Sequence, residues 1–306
     1  MSVSRSNARR NLVTRRSGAG RQPFASLAVC AAFCLVAISL FSCATGPHTF
    51  TADPLAYLGE DAAWYGVVPV AANRPILEAL SRRMKDGDAF MENLDRAAML
   101  YLAGTADTTG GDRQEFPFRL VATGSFPPKM ARVAFPSRKG WEKVNSEGGT
   151  WYRNGSLAAA IPRPGLLFFG KSEILPAMLR NAALPAEIPV REEFRALVPR
   201  SGTGDGTIAL YVRSGDAVRD RLLGDVPFSL PVTDLLVTIG TATKIVENPY
   251  VITIRIYMPD QRTTRAMLPL IRLVFSSAVR QDGTSLVLEL PADAEDIADF
   301  LEFLYL

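Results

Sequence analysis

Apolar residues recur along this chain with two periods, and the switches between them divide it into elements. Apolar–polar alternation bounded by Gly, Pro, Asn and Asp predicts strands over residues 64–70, 97–104, 116–124, 150–153, 156–161 and 166–170. Helical spacing predicts helices between them at 74–84, 128–135 and 172–181. Asn73 stands as cap of the first with Pro75 in its opening turn, and Ser172 with Glu173 opens the third. After a Pro-rich segment at 184–189 and a short helical piece at 191–197, the pattern begins again. Strands are predicted at 207–213, 234–241, 250–258, 274–280 and 284–290, with helices at 216–223, 262–273 and 293–304.

The two halves resemble each other. TWYRNGSLAAAIP (150–162) and SAVRQDGTSLVLELP (277–291) each place a two-residue turn, Asn154-Gly155 or Asp282-Gly283, between apolar-alternating strands and close on Pro. Such pairs favour the positive φ angles of tight hairpins. A basic helix precedes each hairpin, and a strand precedes each helix, at an offset of about 130–140 residues. The expected fold is therefore α+β: two similar β-α-β-β-α-β-β-α halves, rich in antiparallel sheet, with helices on one face. The organisation expected is a leader at 1–42, a tether at 43–60, halves at 61–183 and 206–306, and a linker at 184–205.

The leader carries the clearest signal. Residues 1–23 hold Arg5, Arg9, Arg10, Arg15, Arg16 and Arg21 and no acidic residue, and residues 24–41 form an 18-residue run without a charge. That length lies between the roughly 7–15 residues of a signal-peptide core and the about 20 of a membrane span. The run ends in Leu40-Phe41-Ser42-Cys43, which resembles the lipobox of bacterial prolipoproteins in the loose form found in spirochaetes: aliphatic at −3, small at −1 and Cys at +1, with Phe41 departing from the small residue usual at −2. The resemblance implies diacylglycerol on the Cys43 sulfur, cleavage before it and N-acylation, so that the only cofactor-like group is covalent lipid. An uncleaved signal anchor is the alternative. Six Arg ahead of the apolar run orient the N-terminus inward in either case, which places residues 44–306 outside the cytoplasm.

Cleavage would change the charge of the chain. The whole sequence has a formal charge of +3, but removing six Arg from 34 Lys plus Arg leaves 28 against 31 Asp plus Glu, so the mature chain would carry about −3. A nucleic-acid partner loses its electrostatic basis. The three cysteines, Cys30, Cys34 and Cys43, all belong to the leader or the anchor, and the single histidine, His48, lies in the tether. Ser-His-Asp triads, Cys-His pairs, HExxH zinc sites and haem ligation are therefore excluded from the folded part. Carboxylate, Lys, Ser or Tyr chemistry remains open.

Among the motifs, Gly165 to Ser172 (GLLFFGKS) satisfies G-x4-G-K-S/T. A phosphate-cradling loop needs its amides free on a turn after a buried strand, and here four large apolar residues occupy that loop, so the segment reads as the strand itself and no nucleotide site is expected. The Gly-rich run 201–207 precedes a strand rather than opening a helix, and reads as a connection. Asp86-Gly87-Asp88 and Asp107 with Asp112 lack EF-hand spacing and read as solvated turns. No metal site is expected.

Lys129, Arg132, Arg138, Lys139 and Lys143 lie near Phe135 and Trp141, and the matching helix of the second half offers Arg262, Arg265 and Arg272. Such a surface suits anionic lipid headgroups or polyanionic wall polymers; the plainer alternative is the solvated face of two amphipathic helices. The sequence thus predicts a membrane-anchored extracytoplasmic lipoprotein, non-enzymatic, that binds a partner or organises the envelope. A surface-displayed adhesin and a carboxylate- or Ser/Lys-dependent hydrolase are the alternatives.

Overall fold

The computed structural model describes residues 53–83, 91, 94–104, 118–146, 148–185, 187–199, 206–213, 231–242, 249–275 and 279–305. The leader, Cys43, His48, Asp86-Gly87-Asp88, Asp107, Asp112, most of the Gly-rich connection and the helix expected at 216–223 lie outside the described residues.

The chain builds a mixed helix and antiparallel-sheet fold on one sheet. Its strands are β1 (Trp64–Pro69), β2 (Ala97–Gly104), β3 (Phe118–Gly124), β4 (Glu142–Ser146), β5 (Gly149–Asn154), β6 (Leu157–Arg163), β7 (Leu166–Lys171), β8 (Ile208–Val212), β9 (Asp234–Thr241), β10 (Tyr250–Tyr257), β11 (Arg280–Asp282) and β12 (Ser285–Ala292). Their order is β11-β12-β10-β9-β8-β1-β2-β3-β7-β6-β5-β4. The helices are α1 (Arg74–Ser81), α2 (Ala131–Ala134), α3 (Leu175–Ala183), α4 (Glu192–Leu197), α5 (Gln261–Phe275) and α6 (Ala294–Tyr305).

The halves meet where β1 pairs antiparallel with β8, placing Tyr65 opposite Tyr211. Outward from that seam the first half runs 1-2-3-7-6-5-4 and the second 8-9-10-12-11. Both expected turns exist, with Gly155 at φ 59° and Gly283 at φ 58°. The hairpins do not occupy matching places, however. In sheet order β6–β7 corresponds to β11–β12, whereas Asn154-Gly155 joins β5 to β6, one hairpin further out. The displacement comes from β4, whose sequence Glu-Lys-Val-Asn-Ser is largely exposed and gives almost no apolar alternation. Such composition suits a sheet edge, where one side of the backbone stays unpaired.

Helices lie on both faces, not on one. Alternation along the strands sorts the contacts: Ala158, Ala160, Phe168, Ala209 and Tyr211 join a core with α3 and α4. Their neighbours Ala159 and Phe169 pack under α2, while Ile208 and Leu210 pack with Ile76 of α1, Ile271 of α5 and Ile297 of α6. Two connecting segments also prove to be core. Residues 54–58, expected as tether, form a 3₁₀ turn in which Leu55, Tyr57 and Leu58 are fully buried, and Ile188, Phe194 and Val198 of the expected linker are buried against the same face. Five residues are too few to show a period, so burial alone distinguishes the 54–58 segment from a tether.

Two caps differ from expectation. The Asn73 side chain caps no helix; its Nδ2 donates to the carbonyls of Pro69 and Gly206, both at 2.8 Å, and so ties the first half to the start of β8. Ser172 and Glu173 precede α3 in a turn, and Ile174 holds the cap position without a side-chain bond. The predicted strand at 274–280 gives way to helix α5, which runs to Phe275 despite Pro269 within it, and to the short β11. At α6 the acidic first turn forms a capping box: Asp296 N–H donates to the Asp293 carboxylate and Asp293 N–H to that of Asp296, at 2.8 and 3.1 Å.

Candidate functional site

The two sets of basic residues lie on the same face of the sheet but in different halves, so they form two patches. In the first half, Ala131 and Ala134 of α2 and Phe135 beyond it bury themselves against Tyr152, Ala159 and Phe169. The chain then turns through the 3₁₀ segment Ser137–Lys139 and enters β4 by way of Trp141, which is buried. Phe135 lies 5.1 Å from both Trp141 and Tyr152, ring centre to ring centre. This aromatic cluster fixes the turn, and Lys129, Arg132, Arg138, Lys139 and Lys143 stand exposed around it. In the second half Arg262, Arg265 and Arg272 are exposed on α5, and Arg272 donates to the Val279 carbonyl, closing the helix C-terminus onto the next segment.

The GKS motif is strand, and its backbone is already engaged. Leu166 to Gly170 pair with Thr123 to Arg119 of β3 on one side, and β6 pairs with the same segment on the other. Gly165 N–H donates to the Phe126 carbonyl, and its own carbonyl accepts from Gly124. These groups serve the sheet rather than a phosphate.

Sequence reasoning missed two buried polar clusters. Arg119 of β3 is 8% exposed and reaches the Leu58 carbonyl and the Asp61 carboxylate, which clasps the 54–58 segment to the sheet. Hydrogen bonding from Arg119 holds the Asp61 carboxyl below its ordinary value. On the same face Arg191, just before α4, binds Asp234 through two bonds, Nη2 to Oδ2 at 2.8 Å, and its guanidinium stacks 3.8 Å from the Tyr257 ring centre. The Tyr257 hydroxyl is buried without a partner among the described residues, and burial pushes its pKa up to about 12. Both clusters pin connecting segments to the sheet; only the partner of each Arg, remote in sequence, would have revealed them. The carboxylates whose pKa departs from normal among the described residues, Asp61, Asp260, Asp282 and Glu295, are all lowered. No group of three or more His, Cys, Asp or Glu that could hold a metal occurs among the described residues.

Residues 49–293 match the family model of the outer membrane-associated lipoprotein TP0453. The chain belongs to this family. It is 26% identical over 259 residues to the outer membrane protein TP0453 of Treponema pallidum (strain Nichols), covering 83% of this chain and 86% of that protein. The fold agrees with solved structures of TP0453. Crystal form I gives a TM-score of 0.66 at 24% identity, covering 84% of this chain and 99% of the other, and form III gives 0.66 at 23%, covering 82% and 98%. The family match covers every strand of the sheet and begins within the segment expected as tether, after the residues expected as leader, so the folded part carries the relationship. Among the described residues no helix is long and apolar enough to cross a membrane.

Proposed function

We propose that this chain is a lipid-anchored extracytoplasmic lipoprotein that acts by binding in the cell envelope rather than by catalysis. The observation that carries the reading is the family match beginning at residue 49, six residues after the Cys43 of the lipobox-like sequence. Nine residues, 44–52, separate Cys43 from Asp53, which caps the buried 54–58 turn. Two acyl chains on one glyceryl group, with a third on the amine, hold a domain stably where a single chain gives marginal binding.

Metabolic labelling with an alkyne fatty acid, combined with the mass of the mature N-terminus, tests this. Wild type should take up label and begin at Cys43, and Cys43→Ser should take up none and keep its leader. A wild-type protein that retains residues 1–42 without label would return the assignment to a signal anchor. Protease treatment of intact and permeabilised cells then separates a surface-displayed domain from one enclosed by the outer membrane.

A further inference from the structure

We propose that the surface formed by α2, the turn Ser137–Lys139 and β4 docks a polyanionic glycan, an inference that rests on reading the chain as a binding protein of the envelope. Residues 125–146 hold five cations and one carboxylate, Glu142. Alternation along β4 separates them. Lys143 stands opposite Tyr152, on the side where α2 packs, whereas Glu142 stands opposite Arg153 on the other side and is bonded to it at 2.8 Å. Lys143 therefore lies on the side where α2 packs, and Glu142, the one carboxylate of residues 125–146, is turned to the other and tied to Arg153.

Arg74, Arg82, Arg153, Arg255 and Arg280, by contrast, each sit on a carboxylate. Among the described residues none of the five cations of this face has an ion-pair partner. A cluster of exposed cations without ion-pair partners marks a surface that meets anions.

Three features select the partner. The cations spread from α2 through the turn to β4 without converging on a pocket, which suits repeated charges along a polymer. The cluster's aromatic rings, Phe135, Trp141 and Tyr152, are buried, leaving none for stacking nucleic-acid bases. Among the described side chains Val133 is the one large apolar group exposed between these cations, too little for the apolar centre of a protein interface or for insertion into lipid.

The test uses the mature lipidated chain in neutral detergent, with polygalacturonate as anionic glycan, dextran as neutral glycan, and vesicles of phosphatidylglycerol or phosphatidylcholine. Binding to polygalacturonate but not dextran is expected, and it should disappear near about 0.5 M salt. Each of the pairs Arg132→Glu/Lys143→Glu and Arg138→Glu/Lys139→Glu should weaken it at least about tenfold, with Arg262→Glu/Arg265→Glu unchanged and melting temperatures confirming folded protein. Wild-type binding retained in both first-half pairs would overturn the proposal. So would capture by phosphatidylglycerol vesicles, through these same residues, without binding of the glycan. Absence of lipid on Cys43 is read separately by labelling, so the two readings fail distinguishably.

Discussion

Arg119 and Asp61 stand 58 residues apart in sequence and form a two-pronged ion pair, Nη2 to Oδ2 at 2.6 Å, with a further bond from Arg119 to the Leu58 carbonyl. The pair holds the buried 54–58 segment down on the sheet. Arg119 is buried and Asp61 largely solvated, so the partners should differ in effect. Arg119→Ala leaves a buried carbonyl and a cavity, and should cost about 2–3 kcal/mol in urea unfolding. Asp61→Asn should cost under about 1 kcal/mol.

The same pair gives a pH prediction. The folded-state pKa of Asp61 lies below its ordinary value of 3.8. Its contribution is complete above that value and is lost as pH falls through the folded pKa. Unfolding titrations of wild type should therefore steepen on acidification below about pH 4, and Asp61→Asn should flatten that limb without altering stability trends at neutral pH.

Asn73 joins the halves by donating to Pro69 and Gly206 from one buried amide. Asn73→Ala leaves both carbonyls without that donor and should destabilise by about 1–3 kcal/mol. Asn73→Asp should be worse, because a carboxylate faces two acceptors. Differential scanning calorimetry would show whether the sheet still melts in one transition.

Helix α1 also meets α6 across the halves. Arg83 reaches Glu295, at 3.1 Å, and Asp299, while Arg82 pairs with Glu295. Hydrogen bonds from Arg83 and Arg82 hold the Glu295 carboxyl below its ordinary value. A double-mutant cycle on Arg83 and Glu295 should give a favourable coupling that fades as salt is raised. Ile297→Ala, which empties the fully buried contact of α6, should cost about 2–5 kcal/mol regardless of salt. If the ion pairs outweigh the core contact, that order reverses.

The phosphate-loop motif supplies a further contrast. Phe168→Ala removes a fully buried ring from β7 and should cost about 3–5 kcal/mol. Lys171→Ala should change stability by less than about 1 kcal/mol, and ATP should shift the melting temperature of neither wild type nor variant.

Much of the fold was legible because a half-buried strand must alternate. β2 and β9 fall at the expected residues, and β1, β6, β7 and β8 within two. β4 was not legible, because an edge strand exposed along most of its length has no reason to alternate. The candidate surface was legible only as a list of eight cations. The sequence could not say that Lys143 and Glu142 turn to opposite sides of β4, nor that Arg262, Arg265 and Arg272 belong to a separate patch on α5.

The sequence by itself determined the α+β class and the Asn-Gly and Asp-Gly hairpins, and it alone carries the lipobox resemblance at Cys43. Each follows from composition or from interactions between near neighbours. Tertiary structure alone decided that the halves share one sheet through Tyr65 and Tyr211, that 54–58 and 188–198 belong to the core, and that Arg119 and Arg191 find Asp61 and Asp234. Those outcomes depend on contacts between residues tens of positions apart, where burial and pairing energy, rather than local periodicity, select the partner.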